Sequence, residues 1–285
     1  MILGGRMRRL REACGISLEE AGAAIRGSHS KISRLELGRT GFRQRDLVDL
    51  LALYGVTDPD ECAEFKRLAA QANTSGWWHH DSDWLPKWFD TYLGLEQAAQ
   101  LIRCYEPRVV PELLQTPDYA RALLVLAHPQ ETADSIDRRV ALRMRRQEIL
   151  TRRDPPQLWL IVEEAALRRR VGGSQVWLAQ LEHLLQAVDA PNITVQMLAD
   201  HVGGPAIADG AFTMLRFAEP DLPDIVYLQQ LTGALYLDKD TDLAAYRAVA
   251  NLLSVHAAPP EYTQELIAAL RRRQPETMDQ PTSLA

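Results

Sequence analysis

Hydrogen-bonding side chains crowd residues 28–34 of this 285-residue sequence: Ser28, His29, Ser30, Lys31, Ser33 and Arg34. Ile32 and Leu35 supply the spacing of an inward helical face, and Ser28 stands where a helix cap belongs. With those two apolar residues inside, His29, Ser30, Ser33 and Arg34 face outward, and Lys31 lies towards one flank. Donors and acceptors on one face of a short capped helix suit the base edges of a DNA major groove. Arg34 is the strongest candidate, because its planar fork matches the two acceptors of a guanine. A solvated polar face on a helical bundle is the plain alternative. Arg39, Arg43 and Arg45 follow the helix directly and move the balance towards a polyanion.

Such a helix needs neighbours to set its angle. Ser17 caps a helix over 18–25, with Glu19 and Glu20 in its positive first turn. Ile16, Ala21 and Ile25 continue the apolar spacing, and Gly22 sits where the two helices must approach most closely. A first helix over 6–14 is stopped by Gly15, a third over 28–37 by Gly38 and a fourth over 43–54 by Gly55. A fifth runs from Pro59 to about residue 71. The expectation for 1–71 is an all-α head of five short helices.

Charge divides the chain in the same place. Residues 1–54 hold ten Lys and Arg against six Asp and Glu; of the 32 and 38 in the whole chain, that leaves 22 against 32. A head at +4 on a body at −10 suits a head that meets a polyanion while the body is repelled from it.

Residues 72–92 hold four of the six tryptophans (Trp77, Trp78, Trp84, Trp88) among polar and turn residues. They read as a junction whose aromatics cover a seam, rather than as a ligand cage or a stacking platform for single strands. From 93 to 272 the pattern is mixed. Helices are expected over 93–104, 117–127, 136–152, 175–188, 243–256 and 262–272. Strands are expected over 158–164, 193–198, 212–217, 225–229 and 234–237. This is an α+β domain with a mostly antiparallel sheet, followed by a frayed tail over 273–285.

The stretch MRRLREACGISLEEAGAAIRGSHSKISRLELGR at 7–39 resembles the helix-turn-helix of Xre/Cro-like regulators. The resemblance implies that the third helix reads bases, with His29, Ser30 and Arg34 at the matching positions. It implies that Ser17 and Ser28 contact phosphate, and that Arg11 and Glu36 form an ion pair tying the first helix to the end of the third. Two positions depart from the pattern: Leu18 stands where glutamine is frequent, and the turn holds Arg26-Gly27 in place of glycine followed by an apolar residue. Beyond the head, 92–124, 138–150 and 159–173, with QLEHLLQ, NITVQML and GAFTML, resemble the second domain of a large actinobacterial class of such regulators. Members of that class are antitoxin-like and often encoded beside a small partner protein, with no assigned role for the second domain.

Other candidate chemistry reads as structural. His79-His80 with Asp81 and Asp83 lack a third ligand at helical spacing, so no metal is expected. Glu163-Glu164 end a strand without an identifiable catalytic partner. Ser174 and Ser254 lie in no nucleophile motif, and no phosphate-binding glycine loop occurs. The glycine-rich 201–210 reads as a hairpin connection rather than a pocket. The arginine-rich 138–153 reads as a solvated face paired with acids rather than a second DNA surface. Cys14, Cys62 and Cys104 are expected to be reduced thiols, and neither a signal peptide nor a membrane span is expected.

The expected protein is therefore a cytoplasmic regulator of double-stranded DNA, nucleoid-associated when bound, with no catalytic residue and no cofactor. One helix-turn-helix contacts too few base pairs for operator affinity, so a homodimer on a pseudo-palindrome is expected. Base reading falls to His29, Ser30, Lys31, Ser33 and Arg34, and phosphate contact to Ser17, Ser28, Arg39 and Arg43. The second domain would bind a small-molecule effector or a small protein from a neighbouring gene. The rival readings are an antitoxin-like protein that neutralises such a partner and an enzyme with a DNA-targeting head.

Overall fold

Apolar residues at every third or fourth position build five helices at the start of the chain: α1 Ile2–Ala13, α2 Leu18–Ala24, α3 His29–Glu36, α4 Gln44–Leu53 and α5 Pro59–Ala72. The computed structural model describes residues 2–38, 40–72, 77–78, 84–202, 208–218 and 222–272. Leu3, Met7, Ala21, Ile25, Ile32, Leu35, Leu47, Leu50 and Phe65 meet in one buried core, so each helix contributes its apolar stripe. α1 starts four residues before the expected position. Leu3 and Met7 are both only 1% exposed, and burying them outweighs the poor helix propensity of Gly4-Gly5. The chain divides into two units, residues 1–98 with 217–224 and residues 99–216 with 225–285.

Within the first unit the junction aromatics pack on one another. Trp77 and Trp78 meet edge-to-face at 5.6 Å, Phe89 stacks on Tyr92 at 5.9 Å, and Trp78 donates to Asp90 at 2.6 Å. They precede or belong to α6, Lys87–Ala98.

The second unit is α+β, as expected, around a six-stranded mixed sheet: β1 Ala99–Glu106, β2 Gln157–Glu163, β3 Ile193–Leu198, β4 Phe212–Phe217, β5 Ile225–Gln229 and β6 Ala234–Leu237, in the order β3-β2-β1-β4-β5-β6. The antiparallel arrangement holds across β4, β5 and β6. β1, β2 and β3 run parallel, with Leu101 opposite Gln157 and Leu158 opposite Ile193. Parallel neighbours need long crossovers, and helices fill both of them. α7 Pro117–Ala127 and α8 Ala133–Gln147 link β1 to β2, while α9 Glu164–Arg168 and α10 Gly173–Ala187 link β2 to β3. Leu158, Leu160, Ile161 and Val162 on β2 are all buried, the continuous apolar run of a strand covered on both faces.

The helix expected over 93–104 is corrected to α6 ending at Ala98, followed by β1. Leu95, Ala98, Leu101 and Ile102 fit a helical period locally, but the partner strand β2 lies some fifty residues further on, beyond the reach of any local pattern. α11 Asp240–His256 covers one sheet face, its Leu243, Ala250 and Leu253 packing with Tyr105, Ile161, Phe212, Met214 and Val226. α12 Pro260–Arg272 closes the unit beside β3, where Thr263 accepts from the Met197 amide at 3.0 Å.

The irregular strap between β1 and α7 has its backbone satisfied by side chains. Gln115 donates to the Val110 carbonyl at 2.5 Å, Gln180 to Leu114 at 2.7 Å, and Gln147 to both Glu112 and Gln115 at 2.8 Å. Without them these buried carbonyls would be orphaned. The same strap holds Glu112 between Arg143 (2.5 Å) and Arg146 of α8.

Burial alone would raise the Glu112 carboxyl, but the charges and hydrogen bonds of Arg143 and Arg146 outweigh it and hold its pKa at about 2. In an unfolded chain the value is about 4.3. A depressed carboxylate contributes stability above its unfolded pKa and loses it as pH falls towards its folded one. Thermal melts between pH 5 and pH 2, a window set by about those two values, should show the wild type losing stability steeply while Glu112→Gln, less stable at pH 7, declines less.

Candidate nucleic-acid interface

α3 is just over two helical turns long, and its sequence divides it cleanly. Ser28 caps it, its hydroxyl accepting from the Lys31 amide at 3.3 Å. Ile32 and Leu35 are buried, while His29, Ser30 and Arg34 are exposed and Ser33 is half-buried. The Ser30 hydroxyl lies 3.2 Å from His29 Nε2, so these two can present a joint donor and acceptor. Arg34 has no acid partner among the described residues, and neither has Arg43, which is exposed at the start of α4.

Lys31 is placed differently. Its ammonium lies 2.7 Å from the Asp46 carboxylate of α4, which fastens the flank of α3 to the next helix instead of leaving the charge outward. Ser17 is also occupied. It forms a reciprocal capping box with Glu20: the Glu20 amide donates to its hydroxyl at 3.2 Å, and its own amide and hydroxyl donate to the Glu20 carboxylate at 2.8 Å. Those bonds hold the exposed Glu20 carboxyl below its ordinary range. With its proton donated to a carboxylate, the Ser17 hydroxyl has none left for a phosphate. Arg39 lies outside the described residues, as do His79, His80, Asp81 and Asp83.

Arg11 and Glu36 set the angle of α3. Arg11 Nε donates to Glu36 Oε1 at 2.7 Å and Nη2 to Oε2 at 3.0 Å, a two-pronged pair, while Nη1 donates to the Ile16 carbonyl at 2.9 Å. Both residues are buried, at 7% and 8% exposure. The hydrogen bond to Glu36 raises the Arg11 guanidinium above its usual value, against burial, which lowers it. One charged clasp thus joins α1, the α1–α2 turn and the last residue of α3.

Two glycines let the backbones close around it. A methyl group on Gly22 would stand 2.9 Å from the Ser28 carbonyl carbon, and one on Gly4 would stand 2.3 Å from the Glu36 carbonyl oxygen. Gly22 is legible as a close-approach residue between two patterned helices. Gly4 is not, because nothing in the local pattern announces that α1 reaches back to it.

The turn between α2 and α3 is settled by backbone bonds. The Gly27 amide donates to Gly22 at 2.8 Å and the Arg26 amide to Ala23 at 3.0 Å, the paired bonds of a Schellman ending. Arg26 takes the left-handed position with φ +53°, the one non-glycine among the described residues to do so. The departure from glycine at this turn keeps its geometry and adds an exposed cation one residue before the Gly27-Ser28 entry to α3.

Elsewhere, several side chains are engaged with one another. Tyr105 donates to the buried Glu163 carboxylate, and Glu164 pairs with Arg168 and accepts from the Asp200 amide at 3.2 Å. On α8, Arg139 is held by Glu131 at 2.6 Å and Arg143 and Arg146 by Glu112, so these arginines serve packing. Among the described residues no group of three His, Cys, Asp or Glu could hold a metal ion, and no helix is long and apolar enough to cross a membrane.

Residues 2–65 match the model of a helix-turn-helix domain. Residues 89–269, well over half of the chain, match the model of a domain of unknown function, DUF5753. No curated protein and no solved structure matches the chain.

Breaking one side of the Arg11–Glu36 clasp strands a buried charge, so Arg11→Met should destabilise the helical head by about 3–5 kcal/mol. The double replacement Arg11→Met with Glu36→Leu should recover most of that loss. Amide hydrogen exchange in α1, α2 and α3 reads it: protection falls in the single variant and returns in the double.

Proposed function

The chain belongs to the DUF5753 family and carries a helix-turn-helix domain ahead of that region, and on this premise we propose that it is a sequence-specific regulator that binds double-stranded DNA as a homodimer. The observation that carries the reading is α3: a capped helix whose apolar side is buried, whose angle is clasped by Arg11 and Glu36, and whose outer side offers His29, Ser30, Ser33 and an Arg34 free of acid partners among the described residues. In this reading Arg34 takes a guanine edge and His29 and Ser30 reach neighbouring bases. Ser28 and Arg43 hold phosphates, and so does Arg39. Lys31 acts through Asp46, by fixing the flank of α3, and Ser17 through its capping box. The chain works by binding, not by catalysis, in the cytoplasm, with the acidic second unit as the part that pairs and responds.

Self-association is supported by the edge of the sheet at β6, beyond which no further strand pairs among the described residues. β6 is an edge strand on which Leu235 is 54% exposed, and Leu231 at the tip of the β5–β6 hairpin is 100% exposed. Nature blunts such edges with charge or proline unless they pair. A second copy, adding its own β6 antiparallel, would bring two heads into one assembly, and two half-sites require two heads. Light scattering should find a dimer without DNA, and Leu235→Lys should shift it to monomer while leaving the melting curve of the head unchanged.

Gel shifts on the DNA upstream of the protein's own gene, against an unrelated duplex, test the recognition. Arg34→Ala should cost about 1–3 kcal/mol on the specific site and relax preference at one base position. Arg43→Ala should weaken both duplexes alike and reduce the salt slope by about 1. An unchanged ratio of specific to non-specific binding in Arg34→Ala would remove α3 from base reading.

A further inference from the structure

The second unit contains a half-open cleft of about 340 Å³ between α11 and the ends of β4 and β5. That volume is at the small end of the range for ligand pockets, about 300–1,000 Å³. Its apolar wall is Phe212, Leu228, Tyr246 and Val249, and the Phe212 and Tyr246 rings meet edge-to-face at 5.2 Å. Exposed Asp209 and Gln230 line its polar side. Asp242 stands one helical turn before Tyr246 on α11, on the same side of the helix.

We propose that this cleft binds a lipophilic organic cation, a weakly hydrated ammonium or guanidinium group carried on a short apolar body. Each half of that description answers to a part of the cleft. The apolar wall takes the body of the ligand, gaining area removed from water. Aromatic residues such as those of the wall attract a cation, and the carboxylate of Asp209 on the lining, with Asp242 near Tyr246, supplies its counter-charge. Burial and then the charges of Asp242 and Asp209 push the Tyr246 hydroxyl up, so the phenol stays neutral. An anion would face both carboxylates, and a neutral ligand would use only the wall. A compact, strongly hydrated ammonium would lose its water shell without recovering it here, which is why the soft cations are favoured. The assignment concerns binding alone and stands whether or not α3 reads DNA.

Isothermal titration of the full chain with hexyltrimethylammonium, 1-hexanol and hexanoate reads it directly. The cation should bind saturably and roughly ten-fold or more tightly than either of the others. Ala245→Phe fills the cleft from an exposed helix position and should abolish cation binding. Asp209→Asn with Asp242→Asn should bring the cation down to the level of 1-hexanol, and both variants should melt as the wild type does. The wild-type ligand series decides without them: equal affinities for the three ligands, or no saturable heat from the cation, would overturn the assignment. So would cation binding that survives Ala245→Phe in a normally melting protein.

Discussion

A single buried ion pair governs the geometry of the helical head. Arg11 and Glu36 are both withdrawn from water, so neither tolerates the loss of the other. Apolar packing alone would hold α1 against α3 but would let the helices slide; the two-pronged bond fixes both distance and rotation. Because the third donor of Arg11 takes the Ile16 carbonyl, the turn that launches α2 is referenced to the same point. The outer face of α3 is therefore aimed by a group on its inner side. Gly4 and Gly22 belong to the same arrangement, since the clasp closes only if both backbones come near enough.

In the second unit the corresponding constraint is the obligation to satisfy buried backbone. A parallel ladder puts long connections over the sheet, and the stretch leaving β1 has no regular structure with which to pair its own carbonyls. Three glutamines, from the strap itself, α8 and α10, take up those carbonyls, and Glu112 brings two arginines of α8 with it. What reads in the sequence as a strongly basic helix is in part the positive side of an internal clamp.

Features carried by neighbours in sequence were legible, and features carried by distant partners were not, except the Arg11–Glu36 pair, which the resemblance to Xre/Cro-like regulators implied. Ser17 and Ser28 mark their helices as caps, and Gly15, Gly38 and Gly55 stop theirs, because capping is decided within a few residues. β3, β4, β5 and β6 were legible because turn residues bracket short apolar runs. β1 was not, since its identity depends on β2 across two helices. The same division runs through the site. Ile32 and Leu35 declare which side of α3 is outer, but that Lys31 turns to Asp46 needs α4 in place. The sequence reading of 201–210 as a hairpin connection stopped short of the cleft, whose far wall is supplied by α11 some forty residues later.

The parallel ladder has a kinetic meaning as well. Every partner within the helical head, Arg6 and Glu64 included, lies within its first 72 residues, whereas β1 must wait for β2 before it has a parallel neighbour, and β2 for β3 before it has its second. Chains fold slowly where pairing is non-local and quickly where it is local. During synthesis the head leaves the ribosome ahead of the sheet, and its core from Leu3 to Ala69 is complete before β2 is made. A nascent chain thus carries a finished helical head while its sheet edges are still unpaired. Truncation or stalling late in translation would leave that head intact on a sticky, half-built body.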